Sequence, residues 1–520
     1  MKTRNLFLSL FAFAAICACN KEAQPETPQV LGEDACLSVR IMAADVNTKA
    51  DDGGFAIGTE HEVKNVLFAF FDEAGKFMYT REYTDDFSWG EGTKDNPHVE
   101  DYSNATVVLD GKSIVPRQMV VVLNYDNTLK TAIDGLKATN GTVADMYSTL
   151  TTNYYTTHDA TSYFVMTNSS YVAAGDATGK NAFAAQIKST DIYNKDAKPD
   201  PVPVVDVYVE RVAAKLSVTT SNELNTTTKT LDLINGETVS YYPDIEGYAF
   251  TTTRTSSYLC KNIDEITIND WTWNDPTNKR SYWGNTYVAT PENLAYVNYE
   301  EDENQWHESG YYTYCNENMT TTHTKLIVKA TIKQQMGATQ NPSGDPALNL
   351  VKVGDKYYLE SELKDAIIAE LIAGEVKWNN SGVETDYVAS DLVFEATLGS
   401  GYQVDVKLES SKPVVADKET AANSILDKYK SLLRWNAGQC YFFTDIQHLG
   451  TPATNSDYGV VRNHVYNLTV KSISGLGTPF VPGVGGDGGD PVVPEEIDYE
   501  LQAQINILKW KVVNQNVDLQ

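Results

Sequence analysis

The residues of this chain whose types could do chemistry are seven histidines, six cysteines and a run of clustered carboxylates. His61, His98, His158, His307, His323, His448 and His464 never recur at the helical interval that would turn two imidazoles toward one metal, and no His-Glu-x-x-His occurs. Cys17, Cys19, Cys36, Cys260, Cys315 and Cys440 include no pair at the spacing of a zinc knuckle or a dithiol redox motif. No glycine loop ends in a phosphate-binding lysine, and no nucleophile elbow is present. Glu300-Glu301-Asp302-Glu303, beside Trp306 and His307, could be imagined as a glycosidase-type acid pair, but adjacent loop acids ordinarily form a solvated turn. The reading is therefore a non-enzyme: no catalytic residue, no cofactor and no metal ligand is expected.

Two positions instead invite chemistry done to the chain. Residues 1–19 have a basic start at Lys2 and Arg4, an apolar stretch Leu6–Ile16 and a small-residue exit, which is the pattern of a secretion signal. The stretch is shorter than the ~20 apolar residues of a membrane helix. Ile16-Cys17-Ala18-Cys19 is similar to a bacterial lipobox, in which the peptidase cuts before an acylated cysteine, so Cys19 is the expected lipidation site and its acyl chains would tether the protein. The plainer alternative is an ordinary signal peptide cut near Ala18. Cys36, Cys260, Cys315 and Cys440 are left as disulfide candidates in an oxidising compartment, their pairing open. The second position is Lys49-Ala50, in the polar, glycine-bearing stretch Asn47–Gly54, where an exposed basic residue after a strand suits proteolysis.

The elements around these positions read as β structure. Ala35–Val46 alternates, with Leu37, Val39, Ile41 and Ala43 on one face and Cys36, Ser38, Arg40 and Met42 on the other, as a half-buried strand does. Further strand runs are Val66–Phe71, Ala105–Leu109, Met119–Asn124, Glu265–Ile268, Lys325–Ile332 and Tyr402–Leu408, most bounded by Gly, Asn or Asp. A short helix is expected near Thr142–Tyr154, and a second over Ser361–Ala373, capped by Ser361 and ended by Gly374. Val205–Val218 reads as one run closing the first half. Phe480–Pro494 is a Gly/Pro linker, followed by a last strand candidate with Leu501, Ala503, Ile505 and Ile507 on one parity and Leu508, Trp510, Val512 and Val513 beyond. Such a segment must pair with some sheet.

Size and charge narrow the class. A chain of 520 residues, 42% hydrophobic and 21% charged, has material for two cores and is not disordered. With 41 basic against 70 acidic side chains the net charge is −29, which repels phosphate backbones, so nucleic acid is not an expected partner. Self-association has to overcome the same repulsion.

The run Val460–Pro479, with Arg462, Asn463 and His464 followed by Val465, Leu468, Val470 and Ile473, resembles the closing strand of fimbrillins, the shaft subunits of Bacteroidales type V pili, and especially the minor-fimbrium shaft family. Read structurally, Arg462, Asn463 and His464 would be ordinary strand-start residues. The lipobox at Cys19, the Glu210–Leu216 strand and the tethered last strand fit the same family, while the region from about 240 to 439 carries little that matches. The resemblance implies a mainly β fold of two β-sandwich, transthyretin-like domains in tandem, with a few short helices and a C-terminal donor strand. The implied divisions are a signal peptide over 1–18, a lipidated propeptide with a removable first strand over 19–49, domains over 50–218 and 219–478, and linker and donor strand over 479–520. It implies export as a lipoprotein and cleavage by a trypsin-like protease, here at Lys49 where relatives often carry Arg. The removed strand would present Leu37, Val39, Ile41 and Ala43. Its place would be taken by a sister copy's Leu501, Ala503, Ile505, Ile507, Trp510 and Val512. Implied partners are other copies of the chain, fimbrial anchor and tip proteins, the protease and, before cleavage, the outer membrane; the implied location is a cell-surface fimbria. Two rivals are an accessory or tip subunit and a surface-tethered glycan-binding lipoprotein, the latter suggested by the aromatic content.

Overall fold

In the computed structural model the described residues are 35–44, 60, 62–83, 90–91, 99–110, 114–158, 160–168, 184–260, 294–295, 305–318, 323–398, 402–448, 458–479, 499–509 and 512–514. The first half comprises β1 (Ala35–Ala44), β2 (Val66–Phe71), β3 (Phe77–Tyr83), β4 (Val99–Val108), β5 (Gln118–Leu123), helix α1 (Asn127–Thr139), β6 (Met166–Asn168) and β7 (Val204–Arg211). They form one sheet in the order β3-β2-β5-β6-β7-β1-β4. The sheet curls until its ends approach, where Arg81 on β3 pairs with Asp110 at 3.0 Å and donates to the carbonyl of Val108.

Every residue of β2 is buried, because both faces of the sheet are covered. Val66, Phe68 and Phe70 share a core with Leu37, Val39 and Ile41 of β1 and with Val205, Val207 and Val209 of β7. Leu67, Ala69 and Phe71 meet Leu129, Ile133 and Leu136 of α1 on the other side. A strand covered twice reads as a continuous apolar run and not as an alternation. Helix α1 opens on Asp126, whose carboxylate accepts from the amide of Leu129 at 2.7 Å, and closes on left-handed Asn140. The expected helix at Thr142–Tyr154 is shorter: only Val143–Ser148 is helical, and the chain then turns into strands at Thr151–Thr152 and Tyr155–His158. The threonines and tyrosines there prefer a pleated surface, and the helical spacing lies earlier, at Leu129, Ile133 and Leu136.

The second half contains β8 (Ala213–Thr226), β9 (Thr238–Thr251), β10 (Tyr312–Asn316), β11 (Lys325–Gln334), helix α2 (Glu360–Ala373), β12 (Gln439–Asp445), β13 (His464–Gly475), β14 (Tyr499–Lys509) and β15 (Val512–Asn514). One sheet runs β10-β8-β13-β14-β15 and another β9-β11-β12. Their inner faces share a core, with Leu216, Val218, Tyr466 and Leu468 from the first and Phe250, Val328, Ala330 and Phe442 from the second. The expected single run Val205–Val218 is divided at Val212, whose amide bonds to Val165; β7 ends in one sheet and β8 begins in the other. α2 buries Leu363, Ile367 and Leu371 and ends at Gly374 as expected, but Ser361 is not its cap. The helix starts one residue earlier because the Asn349 carbonyl takes the first amide, that of Glu360. The fold is mainly β with a few short helices, and among the described residues no helix is long and apolar enough to cross a membrane.

Candidate functional site

The early strand is an interior member of its sheet. Ser38–Ala43 run parallel to Val204–Val209 of β7, while Cys36–Met42 run antiparallel to Val108–Tyr102 of β4, with a bulge before Ala44 meets Val99. Leu37, Val39 and Ile41 are 0% exposed, inside the core that β2, β4, β5 and β7 line. Ala43 pairs with Val209 through its backbone. Cys36 is equally buried, so the face expected to be polar is partly covered too. Arg40, half-exposed, grips Asp206 with two hydrogen bonds of 2.7 and 2.8 Å and lies within the ladder. Removing β1 would therefore leave a slot with hydrogen-bonding groups on both walls.

The next described residue after β1 is Glu60. Its carboxylate accepts from Lys215 Nζ at 2.6 Å and from the Tyr314 hydroxyl, and its carbonyl accepts from Arg211 Nε at 2.6 Å. Glu60, Lys215 and Arg211 are all buried. Burial first, and then the Glu60 carboxylate, push the Tyr314 hydroxyl well above the ordinary tyrosine range. The Lys215 ammonium also sits 4.8 and 5.6 Å from the Tyr312 and Tyr314 ring centres. Two residues on, Asn124 donates to the Glu62 carbonyl at 2.9 Å and accepts from the Lys64 amide at 2.6 Å. A segment at the start of the first half is thus stapled both to that half and to β8 and β10 of the second. Between Ala44 and Glu60 the sequence has one Lys or Arg, Lys49. Lys49 and Ala50 themselves lie outside the described residues, as do Cys19 and the whole export segment.

Arg462, Asn463 and His464 are more than strand-start residues. Asn463 takes a left-handed φ of 58°, which asparagine tolerates better than most side chains, and its side-chain oxygen accepts from the Arg211 amide. That turn aims Arg462, 1% exposed, at the carbonyls of Leu259 (2.9 Å) and Tyr258 (2.6 Å), with Glu317 as its ion-pair partner. Tyr258 pairs in turn with Thr151 of the first half. The motif locks the two halves together. No periodicity reveals this, because the partners are some two hundred residues away; only the improbable sequence Arg-Asn-His before an apolar strand hints at it.

The C-terminal strand is docked on its own chain. β14 lies antiparallel to β13, from His464 opposite Lys509 to Gly475 opposite Tyr499, so Leu501, Ala503, Ile505 and Ile507 fall opposite Ile473, Val470, Leu468 and Tyr466. Val512 lies in β15, which folds back on β14; Trp510 is outside the described residues. The structure does not bring this strand to β1: the two occupy different sheets.

The remaining candidates are structural. Cys36, Cys260, Cys315 and Cys440 are buried and form no disulfide among the described residues, and burial pushes Cys260 and Cys315 up to about 12. Among the described residues no group of three His, Cys, Asp or Glu could hold a metal. Glu300–Glu303 lie outside the described residues, while Trp306 stacks on Tyr441 and His307 on Tyr311.

Residues 434–516, which span β12 to β15, match the profile of the family "Major fimbrial subunit protein type IV, Fimbrillin, C-terminal". No curated protein matches the chain. Among solved structures it is similar to a candidate cell adhesion protein from Parabacteroides distasonis, at 14% identity and a TM-score of 0.39, over 93% of this chain and 99% of that one. It is also similar to a fimbrilin from Porphyromonas gingivalis, at 14% identity and a TM-score of 0.32, over 92% and 98%. A third is the tip fimbrial protein of Porphyromonas gingivalis with its C-terminus truncated, at 11% identity and a TM-score of 0.27, over 90% and 99%. The match places residues 434–516, where the Arg462 lock and the docked last strand reside, as a region similar to the C-terminal part of fimbrillins.

Proposed function

We propose that the chain is a polymerising shaft subunit of a surface fimbria, in contact with anchor and tip proteins at the ends of the fibre. It is exported as a lipoprotein acylated on Cys19, held at the outer membrane, and cut at Lys49-Ala50 by a trypsin-like protease. The first strand then leaves, and Leu501, Ala503, Ile505, Ile507, Trp510 and Val512 of a sister copy take the place of Leu37, Val39, Ile41 and Ala43.

The observation that carries this reading is the position of β1. It is bonded on both sides and buried, yet its only covalent link to the body runs through residues 45–59, where Lys49 is the single tryptic site. One cut therefore converts β1 from a tethered strand into a separate peptide, while the Glu60 staple holds everything downstream. The tail's alternation of Leu501, Ala503, Ile505 and Ile507 with Gln502, Gln504 and Asn506 suits a slot with one wet and one apolar face. Exchange of one strand for another conserves most contacts, so proteolysis supplies the direction.

The test is limited trypsin treatment of the soluble precursor with Cys19 replaced, followed by size on a non-boiled gel. We expect loss of a fragment ending at Lys49 and a ladder of multimers. A variant ending at Pro494 should be cut without forming a ladder, and Lys49→Ala should do neither. A ladder from the Lys49→Ala protein, or none from the cut full-length protein, would overturn the proposal.

A further inference from the structure

Between β11 and β12 the chain makes an excursion, residues 335–438, that packs a core of its own. Leu363, Ile367 and Leu371 of α2 meet Val351, Tyr387, Leu392 and Val406 there, apart from the core that the two sheets share. The excursion is fastened at its root. The Leu348 amide bonds to the Ile332 carbonyl at 2.8 Å, and Trp435, 0% exposed, donates from its ring nitrogen to the Leu476 carbonyl at 2.9 Å. Where the excursion meets the sheets a cleft of about 550 Å³ remains, lined by Gln334 and Asn349 from the root, Ser361 and Asp365 from α2, and Arg434 and Asn436 from the return toward β12. That volume falls within the ~300–1,000 Å³ usual for small-ligand sites.

The lining is polar, ordered and electrically balanced. Glu360 sets one carboxylate oxygen 2.9 Å from Lys364 Nζ and the other 2.9 Å from Arg434 Nε, and both cations lie over the Phe394 ring, 5.3 and 4.4 Å from its centre. Three charged side chains are thereby held in one arrangement before any ligand arrives. With Lys364 and Arg434 set against Glu360 and Asp365, the charged groups of the lining cancel. The Asn349 side-chain oxygen accepts from the Ala437 amide at 2.7 Å, which leaves its NH₂ as a donor. Among the described residues Gln334, Ser361, Asp365 and Asn436 make no side-chain hydrogen bond or ion pair, so four more polar groups around the same cleft are uncommitted.

We infer that this cleft binds a neutral saccharide unit. Each hydroxyl of a sugar both donates and accepts, and it is matched by walls that do likewise: Gln334 and Asn436 offer both roles, Asn349 donates and Asp365 accepts. A charged ligand is disfavoured because the charges of the lining cancel. An apolar ligand would displace water from the uncommitted polar side chains and give them nothing in return. The cleft lies wholly within residues 334–436 of one copy, so it does not depend on cutting or strand exchange. In the fibre proposed above each copy would present it once, and weak sites repeated along a fibre hold a glycan-bearing surface far more tightly than one site does.

Saturation-transfer difference NMR on the uncut precursor with Cys19 replaced tests this. The probes are the methyl glycosides of glucose, galactose, mannose, fucose and N-acetylglucosamine, with a methyl sialoside as the charged comparison. At least one neutral glycoside should receive saturation, and its affinity should be about tenfold weaker in Asp365→Ala and in Asn436→Ala, the equivalent of one lost hydrogen bond. Both side chains are exposed, so the thermal midpoint of each variant should match the parent's. Ser361→Trp, which sets a ring in the cleft, should abolish binding, and Asp355→Ala, at an exposed turn outside the lining, should change nothing. No saturation of any neutral glycoside, or binding that all three cleft variants leave unchanged, would overturn the inference. Binding of the sialoside alone would overturn it too, by handing recognition to Lys364 and Arg434. Because the samples are never cut, a failure to form ladders would sink the strand-exchange reading and leave this result standing.

Discussion

Glu60 and Lys215 carry opposite charges at 2.6 Å with almost no water at either, and a pair so placed is costly to break from one side. Removing one partner leaves the other buried and uncompensated. Glu60→Gln is therefore expected to destabilise the precursor by about 3–5 kcal/mol, with Lys215→Met similar, whereas Glu60→Met combined with Lys215→Met should come within about 1–2 kcal/mol of the parent. Urea unfolding of the four proteins measures this, and equal losses in the single and double variants would show that the pair contributes nothing as a unit. The proposed exchange would depend on the same staple. In the cut protein it is what stops fraying at Glu60, so trypsin should proceed from Lys49 to Lys64 in Glu60→Gln and not in the parent. None of this was legible in the sequence: Glu60 and Lys215 are single charges in different halves, and nothing about their spacing says that the fold buries them together.

At the scale of elements, the decisive one is β1, whose grip on the slot should set how fast the slot becomes available. Leu37 and Ile41 are fully buried against β4 and β7, so Leu37→Ala or Ile41→Ala removes about 2–5 kcal/mol of packing from the strand that the proposed exchange would release. After tryptic cutting, the 35–49 peptide should leave these variants faster, and ladders should appear sooner, while the final polymer, which no longer contains the mutated strand, is as stable as the parent's. Unchanged release kinetics would mean that departure of β1 is not what limits assembly. This element was largely legible: alternation of Leu37, Val39 and Ile41 with Ser38 and Arg40 announces a strand with one apolar face. What alternation cannot tell is how many neighbours the strand has, so the two-sided slot came only from the register with Val204–Val209 and Val108–Tyr102. The same limit applies to Val205–Val218, whose unbroken β pattern hides the passage from one sheet to another at Val212, and to Ser361, a good capping residue pre-empted by the Asn349 carbonyl.

For the whole molecule the governing quantity is the net charge of −29, carried into every encounter between copies. Two like-charged bodies approach against a potential whose range is the Debye length, about 30 Å at 0.01 M salt and about 10 Å at 0.1 M. Strand pairs at the proposed joint would act at contact and be screened little, so salt should alter the rate of association far more than the stability of the product. Ladder formation by the cut subunit is expected to accelerate several-fold between 0.01 and 0.1 M sodium chloride, while assembled polymer dissociates no faster at the higher salt. The sign is informative in itself. If the rate fell as salt rose, attraction between complementary patches would be steering the tail to the slot, and the global repulsion inferred from composition would be overridden locally. If the rate were flat, encounter would not be limiting, and the slow step would lie in a unimolecular event, either departure of β1 or release of the tail from β13. The Ile41→Ala variant tests the first, since it loosens β1 and leaves the tail in place.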